Sequence, residues 1–291
     1  MSLLVQTVVN GLLVGGLYVT ISIGFSLAFG VLDVVDFAVG EWVMLGAFGG
    51  VACSAWLGVD PIPMLPVVFL VFALLGALVA PLIYRVRTSR YARPALMALA
   101  FTFGIATLIR GGMLTAVGFT PRTVQTDVVS GTIALPSLQV PALRLAAFGF
   151  AVVATALFMY FLYFTRIGLA VRAVAQNREH AGLMGVDVRR TSTLVYAVYA
   201  GLTAMAGVLV GAIYSITPQD GQRYTLLAFF VVVLAGLGSI SGVLVAGLVL
   251  GVLQAVVTVY VSADWTLAAV FVLLFATLII SPSGILRRGA V

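Results

Sequence analysis

Apolar residues run along this chain in long blocks separated by short polar breaks, and the length of those blocks sets the plan of the molecule. A helix of about 20 apolar residues covers the roughly 30 Å hydrocarbon core of a bilayer. Such blocks lie at about Leu3 to Leu32, Phe37 to Leu57, Pro61 to Tyr84, Pro94 to Val117 and Ala142 to Phe164, then at about Thr191 to Ile216, Leu226 to Ile240, Val243 to Val261 and Trp265 to Ile280. In lipid every backbone group must be satisfied within the segment, so blocks of this length predict helices rather than strands. The pattern predicts an all-α fold, a polytopic transmembrane helical bundle of eight to nine spans. It forms one membrane domain over residues 1–291. The seventh block is short and the eighth follows at once. Gly236, Gly238, Ser239 and Gly242 must therefore form a very tight reversal or a break. The first block carries no basic residues ahead of it and outruns a secretion signal, so it reads as a span.

Composition agrees with the pattern. Hydrophobic residues make up 63% of the 291 positions, charged residues 8%, and mean hydropathy is +1.22. A soluble domain carries about 25% charged residues, so the solvent of this surface is lipid. Cys53 and His180 are the sole residues of their types. Zinc sets and Ser-His-Asp or Cys-His catalytic groups therefore have almost nothing to draw on. No metal, cofactor or catalytic residue is expected. Lysine does not occur at all, so no phosphate-binding loop ending in Gly-Lys-Ser/Thr exists here.

Charge fixes the orientation. Arg85, Arg87, Arg90 and Arg93 cluster between the third and fourth blocks. Arg166, Arg172, Arg178, Arg189 and Arg190 lie between the fifth and sixth, and Arg287 and Arg288 follow the last. The other connections hold only Arg122, Arg144 and Arg223. By the positive-inside bias the clusters face the cytoplasm of a bacterial inner membrane, with the N-terminus outside and the C-terminus inside. The net charge of +6 thus reports topology, and nucleic acid is not a partner. The connection from about Gly118 to Pro141 suits a short hairpin, an interfacial helix or a plain loop; the last is favoured over a protein-docking surface.

Candidate chemistry begins with acids inside apolar sequence, each costing about 2.5–3.5 kcal/mol at mid-helix. Asp33, Asp36 and Glu41 fall where the first block hands over to the second. Asp33 reads as part of an ordinary turn. For Asp36, Phe37, Gly40 and Glu41, a turn and a broken, pathway-lining element are equally compatible with the sequence. The glycine-rich run Gly236, Gly238, Ser239 and Gly242 is a second place where freed backbone groups could meet a solute, although close helix packing explains glycine equally. Arg110, deep in the fourth block, reads as a side chain snorkelling toward the outer interface, with a role in the pathway as the less favoured alternative.

Between Phe164 and Thr191 the pattern changes. Residues 165–190 read as two short helical pieces: Ala170, Val171, Val174 and Ala175 share one face, and Arg172, Gln176 and Glu179 another. Asn177 is a predicted N-cap for the second piece, which ends near Gly185. A mixed-charge helix lying along the membrane surface fits a cleft on a soluble partner. Its weak apolar face, built of alanine, fits a lipid surface less well.

In this order, these segments resemble the permease subunits of the bacterial branched-chain amino acid ABC importer family. The run Asp36-Phe37-Ala38-Val39-Gly40-Glu41 is similar to that family's Asn-Phe-Ala-His-Gly-Glu, with Asp for Asn and Val for His. Gly236-Leu237-Gly238-Ser239-Ile240-Ser241-Gly242 is similar to its Gly-Leu-Gly-Ser-Ile-x-Gly, and Ser281-Pro282-Ser283-Gly284-Ile285-Leu286 to its closing Arg-Pro-x-Gly-Leu-Phe. The piece from Glu179 to Gly185 resembles the loop that meets the ATPase. The resemblance implies a transport subunit that is not itself an enzyme. Separate ABC ATPase subunits would press on Arg172, Ala173, Glu179, Ala181, Gly182 and Gly185. It also implies a second, identical or related permease, and a periplasmic or lipid-anchored solute-binding protein. The solute would be a branched-chain or other amino acid, or in the wider group urea, an amide or a small organic acid. An ion- or proton-coupled secondary transporter or channel, and then a membrane-embedded enzyme, are the rival readings.

Overall fold

The apolar blocks fold as helices in a computed structural model, which describes residues 2–56, 58–89, 93–129, 131–135, 138–281 and 284. In chain order these are α1 (Ser2–Leu32), α2 (Val39–Trp56), α3 (Leu65–Arg87), α4 (Pro94–Val117), α5 (Ala142–Phe164), α6 (Arg166–Gln176), α7 (Arg178–Leu183), α8 (Val188–Ile213), α9 (Gly221–Ala235), α10 (Ile240–Tyr260) and α11 (Thr266–Ile280). Among the described residues, 7 helical stretches are long and apolar enough to cross a membrane; α2 and α9 are not among them. Arg90, Arg287, Arg288 and the closing Pro282, Ser283, Ile285 and Leu286 lie outside the described residues.

Three helices start earlier than hydrophobicity alone predicts, each because its first turn is polar or capped. α8 begins at Val188, where the Asp187 carboxylate accepts the Arg190 N–H. α10 begins at Ile240, capped by Ser239 through the Gly242 N–H. α9 begins at Gly221, so that Gln222 and Arg223 form its first turn. Such caps satisfy N–H groups that have no partner within the helix.

α1, α8, α9 and α2 make the centre of the bundle. α8 is buried along most of its length, with Tyr196 and Tyr199 each 1% exposed. α4 and α11 stand at the periphery and leave Leu108, Phe275 and Ile280 bare, as lipid-facing helices do. α1 packs most extensively on α10. A Cβ on Gly251 would stand 2.4 Å from the Gly11 carbonyl oxygen, so only glycine allows this approach.

The bundle has two distinct ends. At the arginine-rich end, the Arg87 Nη2 lies 2.5 Å from the Asp33 carboxylate just past α1, and Arg178 of α7 donates to the Val31 carbonyl in the last turn of α1. Asp33 sits in the left-handed region, at φ 50°, which turns the chain sharply off the helix end. The opposite end carries the hairpin that the sequence allowed, β1 (Thr132–Leu135) antiparallel to β2 (Leu138–Pro141). The loop before it is pinned by Asp60, whose carboxylate accepts from Thr126 Oγ1 and from the backbone N–H groups of Ile62, Asp127 and Val128. Partial burial works to raise the Asp60 pKa, but these hydrogen bonds outweigh it and hold the carboxyl below its ordinary range.

Candidate functional site

Between Leu32 and Val39 the chain leaves the helical path, and α2 starts well inside the bundle. Asp36 lies here, 3% exposed. Its carboxylate accepts from Tyr196 Oη at 2.8 Å, Tyr199 Oη at 3.1 Å and the Ala38 N–H at 2.8 Å. Trp42 Nε1 in turn donates to Tyr196 Oη. Asp36 is thus enclosed and fully engaged, a clasp between α8 and the turn before α2. Phe37 is half-buried and packs edge-on against Phe103 of α4.

The start of α2 abuts the start of α9. The Gly40 N–H donates to Thr225 Oγ1 at 3.1 Å. A Cβ on Gly40 would lie 1.8 Å from the Gly221 carbonyl oxygen, and one on Gly221 would lie 2.5 Å from Glu41 Oε2. Two helix N-termini therefore meet inside the membrane, with the Glu41 carboxylate wedged between them. Their partial positive ends favour that negative charge.

Arg110 does not snorkel; the structure corrects that expectation. Its Nη2 and Nε lie 2.6 and 3.1 Å from Glu41 Oε1, and its Nη1 lies 3.3 Å from Gln222 Oε1. The reason is a partner within reach. Arg110 stands about 10 Å along α4 from Val117 at 1.5 Å per residue, and a buried opposite charge in hydrogen-bond contact outbids a stretch to the interface. Glu41 is 0% exposed and its Oε2 has no hydrogen-bond partner, whereas the Arg110 side chain is 26% exposed. Gln222 is exposed beside it. An ion pair open on one side cannot face hydrocarbon, so this face of α4 and α9 must meet water, a solute or a partner chain.

The second glycine-rich element lies elsewhere. Gly236, Gly238, Ser239 and Gly242 form the reversal between α9 and α10, with Gly236 at φ 89° and Gly238 at φ 85°. Gly238 approaches Gly30 near the end of α1. The reversal is therefore at the arginine-rich end, about 22 Å from Gly221 along α9. The structure does not bring it together with Asp36, Phe37, Gly40 and Glu41, and its glycines are accounted for by the turn itself.

At the arginine-rich end α6 and α7 form the two pieces that the pattern predicts. Thr165 caps α6 and Asn177 caps α7, accepting the His180 N–H. Ala181 is buried, Ala173 half-buried, and Glu179, Gly182 and Gly185 exposed; Gly185 ends the piece at φ 86°. Arg172 turns back toward the membrane helices, its guanidinium 5.1 Å from the Tyr163 ring centroid. Two residues that sequence reasoning missed dominate the tip: Leu183 and Met184, 84% and 88% exposed. Only their isolation at a helix end, beside polar Glu179 and His180, could have signalled them. Burial and the neighbouring Arg87 lower the pKa of Arg178 from its ordinary value.

No pattern in the sequence signals a cavity at the opposite end, where α1, α5, α9 and α10 diverge. It measures about 610 Å³ and is bordered by Asn10, Tyr18, Arg144, Asp220, Arg223 and Gln254. Among the described residues, no group of His, Cys, Asp or Glu is placed to hold a metal ion.

A family described as branched-chain amino acid transport system / permease component matches residues 7–280. The high-affinity branched-chain amino acid transport system permease protein LivH of Escherichia coli is 29% identical, with 98% of this chain and 96% of that protein covered. The corresponding protein BraD of Pseudomonas aeruginosa is 29% identical over the same shares. A probable LivH of Methanocaldococcus jannaschii is 28% identical over 95% of this chain and 90% of its own. No solved structure matches the chain.

Proposed function

The chain belongs to the permease component family of branched-chain amino acid transport systems, and from that premise we propose that it is the membrane subunit of an ATP-driven importer for leucine, isoleucine, valine or closely related amino acids. The subunit itself makes no ATP-hydrolysing site. Its arginine-rich end faces the cytoplasm, its N-terminus lies outside and its C-terminus inside, in a bacterial inner membrane. Separate ATPase subunits dock on α6 and α7, a second permease completes the pathway, and a solute-binding protein delivers the amino acid from outside.

The observation that carries this reading is the build of the cytoplasmic loop. Leu183 and Met184 stand almost wholly bare at a polar surface, which suits an anchor seated in a cleft on a partner. Arg178, five residues before Leu183, holds the Val31 carbonyl at the end of α1. From Val31 the backbone continues to Asp36 and Glu41, so a push on α7 is delivered to the segment that joins α1 to α2, where α2 meets α9. Glu179, Gly182 and Gly185 complete the docking surface, while Ala173, Ala181 and Arg172 fasten it to the bundle. The pathway runs past Phe37, Arg110, Glu41 and Gln222, with Asp36 and Gly40 holding that crossing in shape. The Gly236–Gly242 reversal acts as the inner pivot of α9.

The test is uptake of labelled leucine into proteoliposomes holding the permease pair, the ATPases and the binding protein. Accumulation should require internal ATP and all partners, and should vanish when the ATPases are omitted. Uptake by the chain alone, following a proton or sodium gradient, would overturn the proposal.

A further inference from the structure

The cavity at the outer end has a charge pattern of its own. Arg144 and Arg223 both border it, and neither makes an ion pair or a hydrogen bond among the described residues. The one carboxylate nearby, Asp220, is already turned to Thr217, accepting its N–H at 2.6 Å and its hydroxyl at 2.7 Å. Asn10 Oδ1 is buried with no partner, an acceptor left unmet. Tyr18 Oη donates to Gln254 Oε1 at 2.6 Å, which fixes the amide of Gln254 at the cavity floor. Two unpaired cations, one unmet acceptor and apolar walls from Val14 and Ala255 describe a complement to a small molecule with a carboxylate, a donor group and a hydrocarbon tail. A volume of about 610 Å³ lies in the range of about 300–1,000 Å³ usual for small-molecule sites.

Position adds a second argument. Asp220, Arg223 and Tyr224 lie on the cavity side of the first turn of α9. Gln222, on the opposite side of that same turn, meets Arg110. One helical turn thus separates the cavity from the Glu41–Arg110 crossing.

Resting on the importer reading, we propose that this cavity is a receiving site in each permease for an aliphatic amino acid. Its carboxylate is held by Arg144 and Arg223, its ammonium faces Asn10 Oδ1, and the next step inward is over the first turn of α9. Free carboxylate is the committed ligand; a phospholipid phosphate would satisfy the same arginines, so the experiment separates the two.

The full chain carrying Cys53→Ser and Thr258→Cys is expressed in spheroplasts and labelled from outside with impermeant thiosulfonates. Thr258 borders the cavity and the exchange to Cys is nearly isosteric. With each rate divided by that reagent's rate with a free small thiol, the anionic ethylsulfonate reagent should react about fivefold faster than the cationic trimethylammonium reagent, because the positively charged arginines concentrate anions. Arg144→Gln with Arg223→Gln should abolish that preference, and Arg144→Lys with Arg223→Lys should restore it. Leucine and isovalerate at saturating concentration should slow labelling by about threefold or more through occupancy, and leucinol, which lacks the carboxylate, should not. Equal normalised reagent rates, equal protection by leucinol, or, in proteoliposomes without leucine, labelling as slow in phosphatidylglycerol as leucine makes it in phosphatidylcholine would each overturn the proposal. ATP-driven leucine uptake undiminished by the double Gln variant would overturn it while leaving the importer reading intact. Protection by leucine with no ATP-driven uptake would instead sink the importer reading alone.

Discussion

Replacing Arg110 with Met should leave the carboxylate of Glu41 stranded. Glu41 is 0% exposed and, among the described residues, its carboxylate accepts two hydrogen bonds, both from Arg110 through a single oxygen, Oε1, while Oε2 has none. Removing one member of a buried pair costs about 3–5 kcal/mol, because the survivor keeps its desolvation penalty. Arg110 is about a quarter exposed, so solvent screening points to the lower end, about 3 kcal/mol. At roughly 2–4 °C per kcal/mol for a large domain, this corresponds to a midpoint lowered by about 6–12 °C. Glu41→Gln should lower it less, since Arg110 keeps partial access to water. The double variant should lie closer to the parent than Arg110→Met does, with a coupling of about 1–3 kcal/mol. The assay is thermal unfolding of the detergent-solubilised protein, followed by a thiol-reactive dye at Cys53. A shift below about 1 °C for Arg110→Met, or strict additivity in the double variant, would refute the account of the crossing as a coupled buried pair.

Three further outcomes follow from the same geometry. Leu183→Asp together with Met184→Asp should weaken ATPase docking by about 30-fold, the size of a lost apolar hot spot of about 2 kcal/mol, while membrane insertion is unchanged; co-purification of the ATPases measures it. Arg178→Gln should leave ATP hydrolysis in place but reduce uptake per ATP by about 5-fold or more, the scale of a typical coupling energy; an unchanged transport-to-hydrolysis ratio would count against the link through Val31. The loop pinned by Asp60 should loosen in acid. The folded pKa of Asp60 lies below its unfolded value. Its contribution is therefore fully present above the unfolded pKa and is lost as pH falls through the folded one. Hydrogen exchange at Asp127 and Val128 should rise over that window, and Asp60→Asn should raise it already at neutral pH.

The helices were legible because lipid demands long apolar runs, and so were the two pieces α6 and α7, down to Asn177 as a cap. The beginnings of α8 and α9 were not, because arginine and glutamine in a first turn look like loop until a cavity or a partner is seen beside them. Asp36 and Glu41 stood out as costly acids, but nothing in the sequence paired Glu41 with Arg110 across 69 positions or set Tyr196 and Tyr199 on Asp36. Nor did the sequence say that Gly236–Gly242 lies a whole helix away from that crossing. Long-range partners decide whether a polar residue is a clasp, a pathway group or a turn, and one-dimensional spacing does not encode them.

The head-to-head meeting of α2 and α9 also constrains how the protein is born. Gly40 and Thr225 are 185 positions apart, so at about 5–20 residues per second the ribosome needs about 10–40 s to supply the partner. During that interval α2 carries Glu41 in the translocon without the helix that completes its seat. Its final depth is then fixed late, by assembly rather than by threading. Nascent chains arrested before Gly221 should therefore leave Glu41 open to a water-soluble probe through a Cys at position 41, and protection at that stage would show that α2 settles without α9.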